Sequence, residues 1–313
     1  MIIDLPDTTA SRIERALVKV RQEGGAVALG RVLTLVIVTR HGEEEEAIEA
    51  ANDASREHPM RVIVVSRLGE RDGAEPRVDG QIRVGGDAGA SEVVLLRAFG
   101  AAGSDEEGLI TGLLLPDAPV VAWWPGAAPE VVSESPIGHI AQRRITDAAA
   151  QEDPAAALQH LAETYRPGDS DFAWTRLTLW RALLAAVLDQ PPFEPVQEVE
   201  VSGAARSPST RLLAAWLASG LDVPVRVTPE ESTTGIRRVV LHRASGPIDL
   251  ERAVPNVATL AQPGQPTHDV SLPRRSLRDC LAEELRRLDP DELYGEVLRR
   301  GLPALGRPTP QPA

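Results

Sequence analysis

Few residues of this 313-residue chain are of the types that do chemistry in enzymes. There is one cysteine, Cys280, and one lysine, Lys19, and the six histidines are dispersed. Lys19 lies within a predicted helix with no glycine-rich loop before it, so neither a Walker-type phosphate loop nor a Schiff-base lysine is expected. The sequence also lacks serine-nucleophile and zinc-protease motifs and any Cys–His pair at metal spacing. We therefore predict no catalytic residue, no metal and no cofactor, and interpret Cys280 as a small buried hydrophobe or a redox-sensing thiol.

The segment TRHGEEEE, residues 39–46, follows a strand pattern at the place where a dinucleotide-binding fold carries its glycine-rich turn. It has a single glycine, and its glutamates fill the first turn of the predicted helix. There they suit the positive end of the helix dipole and would repel a phosphate. His41 has two possible interpretations: a turn residue next to glutamates, or an active-site residue. The glycine-rich stretch Val84 to Glu92 lacks the G-x-G-x-x-G spacing and is interpreted as a plain turn.

The chain is acidic, with a formal net charge of −13, and its arginines are scattered along the sequence. Nucleic-acid affinity depends on clustered Lys and Arg, and acidic lipid surfaces repel an acidic protein, so neither partner is expected. The longest apolar runs are far shorter than the roughly 20 residues that span a bilayer, and the first residues do not resemble a signal peptide. The sequence predicts a cytoplasmic protein.

Strand and helix patterns alternate over the first 150 residues. The apolar runs Val32 to Val38 and Arg61 to Ser66 have strand length and flank a helix predicted over residues 43–57. Such a βαβ unit joins parallel strands by a right-handed crossover. Three further strand patterns follow, in QIRVGG, SEVVLLRAF and APVVAWW. Residues 1–150 are therefore predicted to form an α/β domain with a Rossmann-like, mostly parallel sheet.

The second half of the chain begins with a connector predicted over residues 151–170 and continues as a mixed α/β domain over residues 171–303. Its strand alternations are followed by two closing helices. Ser276 is predicted to cap the first, and Asp289, with a proline after it, to cap the second. Residues 304–313 are rich in proline and predicted to form a disordered tail.

A helix predicted from Phe172 to Asp189 places tryptophan and arginine side by side. Trp180 belongs to its apolar stripe, Arg176 lies one turn earlier at the stripe's edge, and Trp174 and Arg181 share a neighbouring strip. Arginine and tryptophan are the residue types enriched at protein–protein hot spots. Either Trp180 is core and the arginines bridge carboxylates within the fold, or Trp174, Arg176 and Arg181 contact a partner.

The paired tryptophans of VVAWWPG, Trp123 and Trp124, raise the same question. Successive strand residues point to opposite faces, and Pro125 and Gly126 end the strand at once. A parallel sheet covered on both faces would bury both indoles. Alternatively, the carboxyl edge of the sheet, where α/β proteins make their contacts, would offer Trp123 or Trp124 to a docking partner.

Several blocks of the chain, in order, resemble the OpcA family of glucose-6-phosphate dehydrogenase assembly proteins from actinobacteria and cyanobacteria. These are LLLPDAPVVAWWPG, AQRRITDAA, DFAWTRLTLWRALLA and CLAEELRRLDPDELYGEVL. The opening MIIDLPDTT and the stretch GGAVALGRVLTLVIVT fit the actinobacterial members. The resemblance runs from residue 1 to about 302, so it covers nearly the whole chain.

The resemblance implies a non-catalytic role. Members of this family promote the oligomerisation and activity of glucose-6-phosphate dehydrogenase, the NADP-dependent first enzyme of the oxidative pentose phosphate pathway. The alternative is a sugar-phosphate-binding α/β enzyme or metabolite sensor, supported by the α/β architecture and by Arg143 and Arg144 in AQRRITD. The missing phosphate loop weighs against that alternative.

Overall fold

The computed structural model of the protein describes residues 1–23, 32–67, 75–85 and 92–305. The chain divides into two compact units. The first unit comprises Met1–Ala150, Gly168–Ser170 and Ser276–Pro290, and the second comprises the segments between and after these. The units therefore interleave along the chain: a short strand within the predicted connector and a helix within the predicted C-terminal domain both belong to the first unit.

The strands are β1 (Ile2–Leu5), β2 (Leu33–Arg40), β3 (Met60–Arg67), β4 (Arg77–Val84), β5 (Glu92–Phe99), β6 (Val120–Trp123), β7 (Arg143–Thr146), β8 (Asp169–Asp171), β9 (Glu198–Gly203), β10 (Val225–Pro229), β11 (Ile236–His242), β12 (Ile248–Val254), β13 (Val257–Ala261) and β14 (His268–Ser271). The helices are α1 (Ala10–Glu23), α2 (Glu44–Ala54), α3 (Glu106–Thr111), α4 (Pro136–Ile140), α5 (Pro154–Thr164), α6 (Phe172–Thr175), α7 (Thr178–Leu188), α8 (Pro208–Leu221), α9 (Leu277–Arg286), α10 (Glu292–Glu296) and α11 (Leu302–Ala304).

The first unit is built on an eight-stranded sheet in the order β1-β4-β5-β3-β2-β6-β7-β8. Its centre, from β5 to β7, is parallel, while β4 pairs antiparallel with both β5 and β1. The parallel strands, taken in chain order, lie 3-2-1-4-5, which is the order of the first five strands of a doubly wound dinucleotide-binding fold. The prediction of a Rossmann-like, mostly parallel sheet is confirmed.

Strands β2 and β3 show why this sheet forms. In each, seven of eight residues are buried, as expected for central parallel strands that are covered on both faces. Helix α1 buries Ile13 and Leu17, which recur at helical spacing. Helix α2 begins after the tight turn at Gly42, whose φ of 90° is a conformation that glycine adopts without a steric penalty.

The second unit is built on a six-stranded sheet in the order β10-β9-β11-β12-β13-β14. Its strands pair antiparallel except for β10 with β9, so the predicted mixed α/β character is confirmed. Val199 and Val201 of β9 are buried and alternate with more exposed residues, the pattern of a sheet with one covered face.

The helix predicted as continuous from Phe172 to Asp189 is two helices, α6 and α7. Asp171 caps α6 by accepting a hydrogen bond from the Ala173 amide. The chain then turns through Arg176 and Leu177 before α7 begins, so the prediction of one helix is wrong at this joint. The predicted stop holds, because α7 ends at Leu188, before Pro191 and Pro192.

The two closing helices are present, and one of their two predicted caps is confirmed. Ser276 caps α9 in a capping box with Asp279. The N-cap of α10 is Asp291, which accepts from the Tyr294 amide, and not Asp289 as predicted. The carbonyl of Asp289 instead accepts from the buried Arg143 guanidinium, which holds that residue outside the helix.

Two predictions fall mainly outside the described residues: the turn between Val84 and Glu92, and the tail over residues 304–313. No helix among the described residues is long and apolar enough to cross a membrane.

Candidate functional site

The carboxyl edge of the parallel sheet is where a doubly wound fold is expected to carry a ligand site. In doubly wound folds ligands bind where the strand order reverses, which here is between β2 and β6. His41 and Gly42 follow the end of β2 there, and β6 ends at Trp123, which Trp124 follows. Gly126 lies opposite Glu43, whose Oε2 is 3.6 Å from the position that a Cβ on Gly126 would take.

Glu44 occupies the position where such a fold would place a phosphate. Its buried carboxylate accepts the Gly42 amide at 2.9 Å and the Ser66 hydroxyl, and His41 Nδ1 lies 3.4 Å away. Three glutamates fill the first turn of α2. These carboxylates lie at the positive end of the helix dipole, and a phosphate placed there would meet their repulsion.

Serine, histidine and glutamate thus come together, but not as a nucleophile and its base. Ser66 is fully buried and its hydroxyl donates to Glu44, while its separation from His41 Nδ1 is 3.5 Å. A nucleophilic serine must face substrate and hand its proton to an adjacent base. This arrangement supports the turn interpretation of His41. Within the described ranges, no three His, Cys, Asp or Glu residues are grouped as metal ligands.

Both predicted docking tryptophans, Trp123 at the end of β6 and Trp124 directly after it, lie in the core. Trp123 is paired with Ile37 of β2 on one side and Ile145 of β7 on the other, and it is 0% exposed. Trp124 is 1% exposed, and its amide donates to the Ile145 carbonyl at 2.9 Å. This placement matches the core interpretation of the pair. A partner contact through either indole stays a prediction.

Arg176, between α6 and α7, and Arg181 of α7 each lie over an aromatic ring of α6. Trp174 is buried, and its Nε1 donates to Asp291 Oδ2 at 2.8 Å. The Arg181 guanidinium stacks 3.8 Å from the centre of the Trp174 ring, a cation–π contact. Arg176 lies 5.9 Å from the Phe172 ring centre. The arginines therefore pack on rings within the second unit. A contact of either arginine with a partner protein stays a prediction.

Arg143 and Arg144, the candidates for phosphate binding, are buried and hold carboxylates instead. Arg143 donates to Glu284 at 2.5 and 2.8 Å, and Arg144 donates to Asp169. A guanidinium that already forks onto a carboxylate has its planar donor edge filled. Cys280 is also buried, in agreement with its interpretation as a small hydrophobe.

An exposed apolar loop after α7 is the feature that the sequence search missed. Phe193 is 77% exposed, and Pro191, Pro192 and Pro195 beside it are also exposed. A hydrogen bond holds the loop in place, because Arg243 Nη1 donates to the Pro192 carbonyl at 3.2 Å. The signal in the sequence was the phenylalanine within QPPFEP, where prolines deny it a place in a strand or helix.

Comparison with protein families identifies the chain. A model described as the glucose-6-phosphate dehydrogenase subunit N-terminal domain matches residues 51–163, and one described as its C-terminal domain matches residues 167–298. Together they span most of the sequence. The chain belongs to the OpcA family of glucose-6-phosphate dehydrogenase assembly proteins. The resemblance predicted from the sequence blocks is confirmed.

A search of curated proteins found no match for this OpcA-family chain. Among solved structures, a putative oxidoreductase from Magnetospirillum magnetotacticum MS-1 is 13% identical, with a TM-score of 0.45 over 87% of this chain and 99% of its own. An oxidoreductase from Sinorhizobium meliloti is 9% identical, with a TM-score of 0.46 over 87% and 94%. One from Pseudomonas syringae is 8% identical, with a TM-score of 0.41 over 86% and 87%. These likenesses are too distant to inform the activity of the chain.

Proposed function

We propose that the protein is a non-catalytic cytoplasmic subunit that binds glucose-6-phosphate dehydrogenase and promotes its active oligomer. The observation that carries the proposal is the presence of both dehydrogenase-subunit domains, in order, along one chain. The carboxyl edge of the parallel sheet supports it. There, the glutamates in the first turn of α2 would repel a dinucleotide phosphate.

The mechanism that fits this role is a population shift. A subunit that binds the active oligomer of the dehydrogenase more tightly than its inactive form raises the occupancy of the active oligomer. No group of the OpcA-family chain then needs to touch the reacting atoms. What the chain must supply is a surface that distinguishes two states of its partner.

The exposed loop from Pro191 to Pro195 is the surface that best fits such a contact. Phe193 has apolar area ready to be buried, and exposed apolar patches mark interaction sites. The prolines and the Arg243 bond hold the loop in place before binding, which lowers the entropy lost on association. The half-buried Arg176 and Arg181 remain proposed contacts, whereas Trp123, Trp124 and Trp174 would need to leave the core to meet a partner.

Titration of the purified chain into its cognate dehydrogenase tests the proposal. We expect both the rate of NADP reduction and the mass of the dehydrogenase complex, followed by mass photometry, to rise with added protein. If neither the rate nor the mass changes, the proposed function is wrong.

The contact is tested with Phe193→Ser, which removes the exposed ring. We expect about tenfold weaker binding, the loss typical of truncating an anchor residue, with an unchanged free energy of unfolding. The matched control is Val254→Ser, a similar polar replacement at a residue that is 56% exposed. Equal affinity for the two variants would show that Phe193 is not an anchor.

A further inference from the structure

Arg252 of β12 is a buried cation with no carboxylate partner in the described part of the chain. It is 9% exposed, and its guanidinium donates to two backbone carbonyls, of Ile236 at 3.0 Å and Leu272 at 3.4 Å. The guanidinium also lies 5.2 Å from the Trp180 ring centre. Carbonyls and a ring satisfy its hydrogens in part, but none of them carries the negative charge that a buried cation requires.

Other buried arginines have the carboxylate partner that Arg252 lacks among the described residues. Arg61 holds Glu92, and Arg143 and Arg144 hold Glu284 and Asp169. Among the described residues Arg243 forms no ion pair, but Glu194 lies near it. Hydrogen bonds from Ser245, and to a lesser extent the charge of Arg243, lower the pKa of the Glu194 carboxyl. Arg252 has no such carboxylate near it in the described part of the chain.

A second arginine, Arg274, adds further positive charge near Arg252. Arg274 is exposed, and its Nη1 lies 3.0 Å from the position that a Cβ on Gly235 would take. Gly235 precedes Ile236, whose carbonyl holds Arg252, so the two guanidinium groups converge on one turn. Burial, together with the like charge of Arg274, lowers the pKa of Arg252 to about 10. The folded unit would therefore gain from a negative charge at this point.

A buried hydroxyl lies beside the same turn. The Oγ1 atom of Thr210 has no hydrogen-bond partner within the described ranges and lies 2.7 Å from the position that a Cβ on Gly203 would take. That position is also 2.7 Å from the carbonyl oxygen of Gly235. Thr210 belongs to the first turn of α8, a helix of 14 residues whose dipole is positive at this end. A buried hydroxyl without a partner calls for an acceptor.

We propose that Arg252, Arg274 and Thr210 form a binding site for a phosphate group, either inorganic phosphate or a small phosphomonoester. Two arginine charges match the charge of nearly −2 that a phosphate carries at neutral pH. Carbonyls take two of the five N–H donors of Arg252, so the other donors of Arg252 and those of Arg274 can bind phosphate oxygens, and the threonine hydroxyl adds a further donor. The site lies wholly within the second unit and does not depend on the proposed partner.

Isothermal titration calorimetry on the full chain tests the site, with inorganic phosphate in one arm and glycerol phosphate in the other. Chloride keeps the ionic strength constant. We expect saturable binding of at least one probe, with a Kd of roughly 1 mM or tighter. Arg274→Gln, an exposed change that leaves the core intact, should weaken this binding about tenfold, since it removes a charged donor. Arg40→Gln, at an exposed arginine of the first unit, should leave it unchanged.

The two arms also separate the source of the phosphate. Binding of inorganic phosphate alone assigns the site to the free anion, and tighter binding of the ester assigns it to a phosphorylated metabolite. The proposal is overturned if neither probe binds at roughly 20 mM, or if Arg274→Gln binds as the native chain does. Far-ultraviolet circular dichroism of the Arg274→Gln protein shows whether a loss of binding accompanies an intact fold.

Discussion

The two units treat their buried arginines differently. In the first unit Arg61, Arg143 and Arg144 each hold a carboxylate that is itself buried or nearly so. In the second unit Arg252 holds only carbonyl oxygens and faces another arginine. The first arrangement is closed, because each charge is neutralised within the fold. The second is open, because no carboxylate among the described residues neutralises Arg252, and the proposed phosphate would supply that charge.

The difference separates a structural role from a binding role for the same residue type. Arg143 ties β7 to α9 through Glu284, whose other oxygen accepts from Ser170 beside β7. A phosphate could enter only by breaking those bonds. At Arg252 it would break no ion pair, since Arg252 forms none with the residues that the structure describes. The sequence motif AQRRITD, which suggested phosphate binding, thus belongs to the closed class.

Breaking a closed pair should have the largest effect. Glu284→Ala removes the partner of both Arg143 and Ser170 and leaves a buried guanidinium without a counter-charge. We expect a loss of about 3–5 kcal/mol in the free energy of unfolding, measured by urea denaturation. Glu49→Ala, at an exposed residue of α2, is the control and should cost about 0.5 kcal/mol or less. Equal costs for the two variants would mean that the pair is not closed.

Removing the open arginine should cost less. Arg252→Met deprives two carbonyls of a donor but also removes an uncompensated buried charge, so we expect a net loss of about 1–2 kcal/mol. The matched variant is Arg143→Met, which strands the Glu284 carboxylate and should cost about 3–5 kcal/mol. Urea denaturation of both proteins gives the comparison directly. If Arg252→Met is as costly as Arg143→Met, Arg252 is a structural residue.

Glu106 of α3 is intermediate between the closed and the open arrangement, because its ion pair is only partly buried. Its replacement should change the free energy of unfolding least. Glu106 is buried, but its partner Arg67, 2.7 Å away, is half exposed. Burial raises the pKa of the Glu106 carboxyl above its ordinary value of 4.5, and Arg67 opposes this only in part. The folded state then binds the proton more tightly than the unfolded state, so the ionised carboxylate lowers stability at neutral pH.

Glu106→Gln should therefore stabilise the protein at neutral pH, by less than about 1 kcal/mol. The gain should shrink as the pH falls through the raised pKa toward 4.5, because the native side chain then becomes neutral as well. Urea denaturation of both proteins at neutral pH and at about pH 4 measures it. A gain that stays constant or grows on acidification would contradict the assignment.

The parallel sheet was predictable because its signals are local. Residues Val32 to Val38 and Arg61 to Ser66 are continuous apolar runs, as central parallel strands must be, and both form strands of the sheet. The joint between α6 and α7 was not predictable, because residues distant in the sequence fix it. Trp174, just before the joint, bonds to Asp291 more than a hundred residues later. The helical spacing of apolar residues in the sequence does not indicate such a long-range contact.

The candidate phosphate site illustrates the same limit. Thr210 lies on α8 and Arg252 on β12, whereas Gly235 precedes β11 and Arg274 follows β14, so only the tertiary fold brings them together. Single arginines far apart in an acidic sequence give no pattern to detect. Where the sequence did suggest chemistry, at His41 and TRHGEEEE, its indication of a helix start hostile to phosphate agrees with the position of Glu44.

The interleaving of the two units has a consequence for synthesis of the chain. Residues 276–290 supply α9, and with it Glu284, to a unit whose sheet is otherwise complete by residue 170. Until those residues have left the ribosome, Arg143 cannot meet Glu284. The first unit, although it begins the chain, therefore acquires its last buried ion pair only after nearly all of the second unit has been translated.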